Sequence, residues 1–155
     1  MGKKKAKRIN YRLEGIIDYK FKVEESSDSI ELFKSEETKT NIKSKFIPIV
    51  ENERLVCEIQ VKCFYQEDDS DIEFLFYECV ERMAFFIEGL ENHVKEDELI
   101  LPRNFLIDLA SVSYSTMRGI LHQKLSSYRY RKGPILPILN PEKLVREDFK
   151  IKIKE

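Results

Sequence analysis

The strongest constraint on the fold is a two-residue alternation of apolar and polar side chains in Arg54–Gln66. Successive side chains of a β-strand point to opposite faces of the sheet, so this alternation predicts a strand with one buried face. The polar side contains Glu58, Gln60 and Lys62. The apolar side, which we expect to be inside the protein, consists of Leu55, Cys57, Ile59, Val61, Cys63 and Tyr65.

Three further segments have strand-like patterns: Tyr11–Glu24, Thr38–Val50 and Ile72–Glu88. Alternation in the first predicts one face made of Ile17, Tyr19, Phe21 and Val23. Pro48 in the second cannot donate a hydrogen bond to a neighbouring strand, which favours an edge position or a bulge. The alternation of the third slips at Glu78–Arg82, which predicts a bulge or bend there. Short turns join the last three strands and predict an antiparallel meander.

A long helix is predicted for about Pro102–Leu125, because proline suits the first helical position, where an N–H group would lack a partner. Small residues recur in Ala110–Gly119 and allow another backbone to approach closely, so this part of the helix is predicted to be an assembly surface. The apolar, proline-rich segment Gly133–Pro141 is predicted to be a loop. A short second helix is predicted for Pro141 to about Asp148, with Asn140 as its N-cap.

These elements predict an α+β domain: a four-stranded antiparallel sheet followed by a long helix and a short C-terminal helix. The length of 155 residues suits one domain. We expect a basic disordered tail at residues 1–9, the domain at 10–148 and a C-terminal tail at 149–155, where a short alternation also permits an added strand. Val56 and Phe64 place apolar groups on the second face of the sheet, which predicts burial against another subunit.

Composition and charge argue against several classes of protein. The net charge is −1, so no overall basic field favours nucleic acid as a partner. No apolar run is long enough for membrane insertion, and no apolar core of a signal peptide follows the basic N-terminus, so a cytoplasmic protein is expected. The three cysteines, Cys57, Cys63 and Cys79, lack metal-binding spacings and indicate buried thiols in a reducing compartment.

The sequence contains no recognisable catalytic motif, and neither an enzyme nor a bound metal or cofactor is expected. The two histidines, His93 and His122, are interpreted as surface or helix-capping residues. The acidic segment 67–71 lacks the spacing and the glycine of an EF-hand and is interpreted as a solvated turn. The basic aromatic run Tyr128–Lys132 has groups that stack on nucleic-acid bases, but one short patch on a nearly neutral protein favours a loop that contacts a partner or stays solvated.

The order of the elements resembles that of the SecB family of protein-export chaperones over roughly residues 10–145. The resemblance begins with the N-terminal strand, the long crossover after it and the meander, whose last strand ends in AFFIEG at Ala84–Gly89. It continues in the long helix with the STMRG segment at Ser115–Gly119 and in the proline-rich loop that ends in LPILNP at Leu136–Pro141.

The resemblance implies an ATP-independent holdase that assembles as a homotetramer, a dimer of dimers in which the long helices pack between two eight-stranded sheet surfaces. Non-native polypeptides would bind in apolar grooves lined by the crossover, the helix and the loop after it. The client-binding residues implied for this chain are Phe33, Phe105, Leu109, Ile135, Leu136, Ile138 and Leu139. The helix-mediated subunit interface would contain Ser113, Thr116 and Gly119.

The C-terminus differs from that of the export members of the family. Those members bind the translocase motor through a short zinc-binding tail rich in cysteine and histidine, whereas this chain ends in KIKIKE. The difference argues against docking on the export motor ATPase. The holdase could serve protein export or protect the antitoxin of a toxin–antitoxin–chaperone system. The alternative hypothesis is a structural or adaptor subunit that uses the same fold in a larger complex. An enzyme or an RNA-binding protein is the third hypothesis.

Overall fold

The computed structural model describes residues 8–26, 33, 38–67, 71, 73–128, 130, 136–137, 139–147 and 150–153. Its strands β1 (Tyr11–Val23), β2 (Thr38–Ile49), β3 (Arg54–Gln66) and β4 (Glu73–Ile87) form one antiparallel sheet. The strand order is β1-β4-β3-β2, so the last three strands form the predicted meander and β1 pairs with the outer side of β4. The predicted four-stranded antiparallel sheet is confirmed. The first and last residues of each strand lie within one residue of the predicted bounds.

One long helix, α1 (Arg103–Leu125), lies across one face of the sheet and contacts β3 and β4. The carbonyl of Pro102, just before the helix, accepts a hydrogen bond from the Leu106 N–H at 3.2 Å. The alternating apolar residues of β3 from Leu55 to Cys63 face the helix and are buried, as predicted, whereas Tyr65 at the end of the strand is half-buried. The buried side of the helix consists of Phe105, Leu106, Leu109, Ala110, Ser113, Tyr114, Met117, Leu121 and Leu125.

The bulge predicted at Glu78–Arg82 of β4 is wrong in position. This stretch keeps an unbroken register with β3, and the breaks in pairing lie at Glu14 and Tyr19 of β1 and at Phe76 of β4. Residues 76–81 of β4 are all buried. A central strand that is buried on both faces loses its polar alternation without any kink, and this explains the misleading pattern.

The extra residue at Tyr19 also changes which side chains of β1 share a face. Ile17 pairs with Arg82 of β4, whereas Phe21 pairs with Cys79. Cys79 and Arg82 are three positions apart in a strand and point to opposite faces, and paired residues share a face. The prediction that Ile17 and Phe21 lie on one face is therefore wrong.

A second, small sheet follows the meander. After a 3₁₀ helix at Leu90–His93, the strands β5 (Val94–Lys95) and β6 (Glu98–Leu99) form a hairpin. The strand β7 (Ile151–Lys152), near the other end of the chain, pairs with β6. The alternating C-terminal residues therefore include the added strand that their pattern permitted.

The second helix begins at Pro141 as predicted, but its predicted end near Asp148 is wrong: Pro141–Leu144 forms a short 3₁₀ helix, and Val145 after it is extended. Asn140 is the N-cap as predicted, since its side chain accepts a hydrogen bond from the Glu142 N–H at 3.1 Å. Arg103 of α1 donates to the carbonyls of Glu142 at 3.3 Å and Val145 at 2.9 Å. A longer α-helix would need the Glu142 carbonyl for its own N–H groups.

Candidate functional site

Two of the residues assigned to client binding, Phe105 and Leu109, lie on the buried side of α1. The ring of Phe105 meets the ring of Tyr11 edge to face, with centroids 5.4 Å apart. The side chain of Leu109 is 0% exposed. Both residues therefore belong to the core between helix and sheet, and a client can reach Leu109 only if the helix separates from the sheet.

Phe33, from the crossover, belongs to an aromatic cluster at one end of the main sheet. Its ring is 5.2 Å from that of Phe76 and 4.8 Å from that of Tyr130, measured between centroids. The Tyr130 hydroxyl donates to the carbonyl of Glu24 at the end of β1. The crossover, the sheet and the segment after α1 therefore meet here. We define the aromatic cluster as Phe33, Phe74, Phe76, Tyr77 and Tyr130.

The loop after α1 is tied to the helix by two hydrogen bonds. The Tyr114 hydroxyl donates to the carbonyl of Pro137 at 2.7 Å, and Arg118 Nε donates to the carbonyl of Leu136 at 3.1 Å. Burial raises the pKa of Tyr114, so its hydroxyl remains a donor. The side chain of Leu136 is buried and that of Leu139 is half-buried.

Several predictions concern residues outside the described ranges. They include two of the assigned client-binding residues, Ile135 and Ile138, and most of the proposed disordered tail, residues 1–7. Most of the crossover, at 27–32 and 34–37, and residues 68–70 of the acidic turn are also outside them. Of the crossover between residues 27 and 37, only Phe33 is described.

The three residues assigned to a helix-mediated interface have different surroundings. Ser113 is buried and donates a hydrogen bond to the Leu109 carbonyl at 2.8 Å, so it belongs to the core of its own subunit. Thr116 is half-buried and donates to the Val112 carbonyl at 2.8 Å. Gly119 is exposed, and a Cβ atom added there would meet no atom within 4 Å. Gly119 therefore lies on the outer surface of the helix.

The most apolar exposed element is β1, which forms one edge of the main sheet. Five of its large apolar side chains are 40–57% exposed: Tyr11, Leu13, Ile16, Ile17 and Tyr19. Within the described part of the chain, no strand pairs with the outer edge of β1. Sequence reasoning missed this surface, although the adjacent pair Ile16-Ile17 already breaks the alternation of a strand with one buried face.

The opposite edge, β2, has a different character. Lys39, Lys43 and Lys45 are exposed along it, and Pro48 lies near its end, so the predicted edge position of this proline is confirmed. The Ser44 hydroxyl donates to the carbonyl of Leu144 and ties part of β2 to the 3₁₀ helix. Lysine and proline on an edge strand oppose the addition of another strand.

The sheet face that points away from α1 is covered mainly by ion pairs. Arg82 Nε is 2.8 Å from Glu58 Oε2, and Lys20 Nζ is 2.9 Å from Glu78 Oε2. Burial acts to raise the pKa of Glu78, but hydrogen bonds from Lys20 and Gln60 outweigh it and lower that pKa. Val56 and Phe64 on this face are already buried within the single chain, so their burial does not require a second subunit.

The three cysteines are buried thiols. Burial raises the pKa of Cys57 and of Cys79 to about 12, and it also raises that of Cys63. The thiolate is the reactive form of cysteine, so these side chains are poor nucleophiles at neutral pH. Their surroundings indicate a packing role.

Comparison with known proteins identifies no family. No family model and no curated protein matches the sequence. A solved structure, that of a protein of unknown function from Streptococcus agalactiae, is similar with a TM-score of 0.45 and 11% sequence identity, over 84% of this chain and 98% of that chain. In the described ranges, no helix has both the length and the apolar character needed to cross a membrane.

Proposed function

We propose that this chain is an ATP-independent, SecB-like holdase that binds non-native polypeptides and serves either protein export or an antitoxin. The main support is the aromatic cluster, in which Phe33 from the crossover contacts Phe76 of the sheet and Tyr130 of the segment after α1. Phe33 is only half-buried there. A half-buried ring in a packed cluster offers apolar area to a client without leaving its own site.

Holding a client on such a surface needs no chemical step. Burial of apolar area contributes about 25 cal/mol per Å². In the loop after α1, Leu139 is half-buried and adds to the apolar surface, and the loop is held by Tyr114 and Arg118. Several such surfaces on one assembly raise the effective concentration of binding sites, so individually weak contacts sum to firm holding.

We further propose that the chain assembles as a homotetramer, a dimer of dimers, in which the outer edge of β1 joins two copies. β1 is an edge strand of 13 residues with five exposed large apolar side chains among its charged ones, whereas β2 has lysines, a proline and only Ile49 as an exposed large apolar side chain. Two antiparallel copies of β1 related by a two-fold axis would give an eight-stranded sheet. The outer surface of α1 around Gly119 would then supply the contact between dimers.

The test is suppression of aggregation of a chemically unfolded client, followed by light scattering without nucleotide, together with the mass of the chain by sedimentation. Phe33→Ser is expected to weaken suppression several-fold and to leave the mass unchanged. Phe86→Ser is the matched control, because Phe86 is a half-buried aromatic residue of β4 on the opposite face, with the Arg12 guanidinium 4.3 Å from its ring centroid.

A stable monomer that leaves aggregation unchanged would refute both the assembly and the holdase activity. If both variants lose the same share of aggregation suppression, the aromatic cluster is not the client-binding site. A chain that binds one folded partner and no unfolded client would instead support the adaptor role.

A further inference from the structure

Glu81 is a fully buried carboxyl group in the centre of β4, with 0% exposure of its side chain. It pairs with Ile59 of β3 and with Asp18 of β1. Its Oε1 accepts from Cys79 Sγ at 3.6 Å. Its Oε2 is buried and has no hydrogen-bond partner among the described residues. An ionised carboxylate with an unpaired buried oxygen is costly, which makes the neutral form the favoured one.

The ammonium group of Lys124 lies near two carboxyl groups, those of Asp18 and Glu81. Lys124 Nζ, in the last turn of α1, is 3.1 Å from Asp18 Oδ1 and 3.8 Å from Glu81 Oε1. The side chain of Asp18 is 72% exposed, in contrast to that of Glu81. The titratable groups that act on Glu81 are therefore Asp18 from β1, Cys79 from β4 and Lys124 from α1, while β3 presents the apolar Ile59.

The protonation of these groups follows from their surroundings. Burial, and then a hydrogen bond with Asp18, raise the pKa of Glu81 to about 7. Hydrogen bonds with Glu81 and Lys124 lower the pKa of Asp18. Below neutral pH, Glu81 therefore holds its proton while Asp18 is ionised, and the Asp18 charge is balanced by Lys124.

We propose that Asp18, Glu81 and Lys124 form a proton-dependent clasp that fastens β1 to the last turn of α1. With its proton, Glu81 is neutral, so the Lys124 ammonium group pairs with the Asp18 carboxylate alone. When that proton passes to the solvent, two adjacent carboxylates share one ammonium group, and the excess negative charge loosens the clasp.

The pairing of β1 with β4 is already interrupted at this point, because Asp18 directly precedes the extra residue Tyr19. Lys124 also lies over the Phe21 ring, with its Nζ 5.1 Å from the centroid, so the same side chain holds β1 on both sides of the interruption. Opening of the clasp should therefore release the last four residues of β1, from Lys20 to Val23.

The test is amide hydrogen exchange of β1 in the full-length chain, measured at about pH 6 and about pH 8 and corrected for intrinsic rates. A carboxyl group with a pKa of about 7 in the closed state and 4.5 in the open state predicts that the opening constant rises about tenfold between these two pH values. Glu81→Gln retains the shape and cannot ionise, so we expect its opening constant to be independent of pH in this range.

Glu78→Gln is the matched control. Glu78 is on the same strand and also pairs with β1, through Lys20, but its lowered pKa keeps it ionised throughout this range. This variant should retain the tenfold dependence. A flat profile in the wild type, or an unchanged dependence in Glu81→Gln, would overturn the clasp.

A direct titration of the wild type decides the question even if Glu81→Gln fails to fold. The carbon-13 shift of the Glu81 carboxyl group should have its midpoint near pH 7, and a midpoint near the ordinary 4.5 would overturn the proposal. Neither measurement depends on holdase activity, so the clasp and the proposed function can fail independently.

Discussion

Replacement of Leu109 by alanine should separate a core role from a client-binding role for this residue. The Leu109 side chain is 0% exposed. The truncation removes three carbon atoms at about 0.8 kcal/mol each, and the cavity that remains adds about 1–2 kcal/mol. We therefore expect the free energy of unfolding to fall by about 3–4 kcal/mol, a large share of the roughly 5–15 kcal/mol that stabilises a typical domain.

The measurement is urea unfolding followed by far-ultraviolet circular dichroism, at one fixed protomer concentration because assembly shifts the apparent stability. Val112→Ala is the control on the same helix: Val112 is 37% exposed, and its truncation should change stability by no more than about 0.5 kcal/mol. If Leu109→Ala costs less than about 1 kcal/mol and still abolishes client holding, then Leu109 is accessible to clients and the core assignment fails.

Three further predictions concern other parts of the molecule. Tyr114→Phe removes the hydrogen bond to the Pro137 carbonyl and should cost about 1 kcal/mol in thermal unfolding, and an unchanged melting temperature would contradict the loop attachment. Because the folded-state pKa of Glu81, about 7, lies above the ordinary 4.5, its contribution to stability is complete below pH 4.5 and is lost as the pH rises through 7. The loss should reach at most about 3 kcal/mol in denaturant titrations of the wild type and should be absent in Glu81→Gln. Gly119→Leu should reduce the mass in sedimentation and leave the circular dichroism spectrum unchanged, since its Cβ meets no atom within 4 Å, and a unimodal tetramer would refute an interface there.

The strands and the long helix were predictable because their periodicities are long and regular. The bounds of β3 are those predicted, since apolar residues occupy every second position from Leu55 to Tyr65. The sheet face on which each β1 side chain lies was not predictable. One extra residue, Tyr19, moves the following side chains to the opposite face, and this bulge is defined only by the pairing of β1 with β4.

The candidate site was predictable only in part, for a related reason. A helical pattern shows which residues share an apolar face, but it cannot tell a residue pressed on the sheet, such as Leu109, from one at the border of a surface. The sequence does contain an indication of Glu81. It is a charged residue inside the buried stretch 76–81, where the broken alternation instead predicts a bulge. Tyr130 stands out in the sequence only as part of a basic aromatic run. Its packing on Phe33 was not predictable, because this contact joins two segments that are distant in the sequence.

The pairing of β6 with β7 has a consequence for the order in which the molecule folds. Leu99 pairs with Ile151, and both side chains are buried, so the whole of α1 lies within the loop that this pair closes. The small sheet of β5, β6 and β7 cannot be completed until the chain has been synthesised beyond Lys152. A growing chain would expose Leu99 at that stage, when uncovered apolar groups favour aggregation. Closure by β7 is therefore expected to be a late step, because the pair joins residues 52 positions apart.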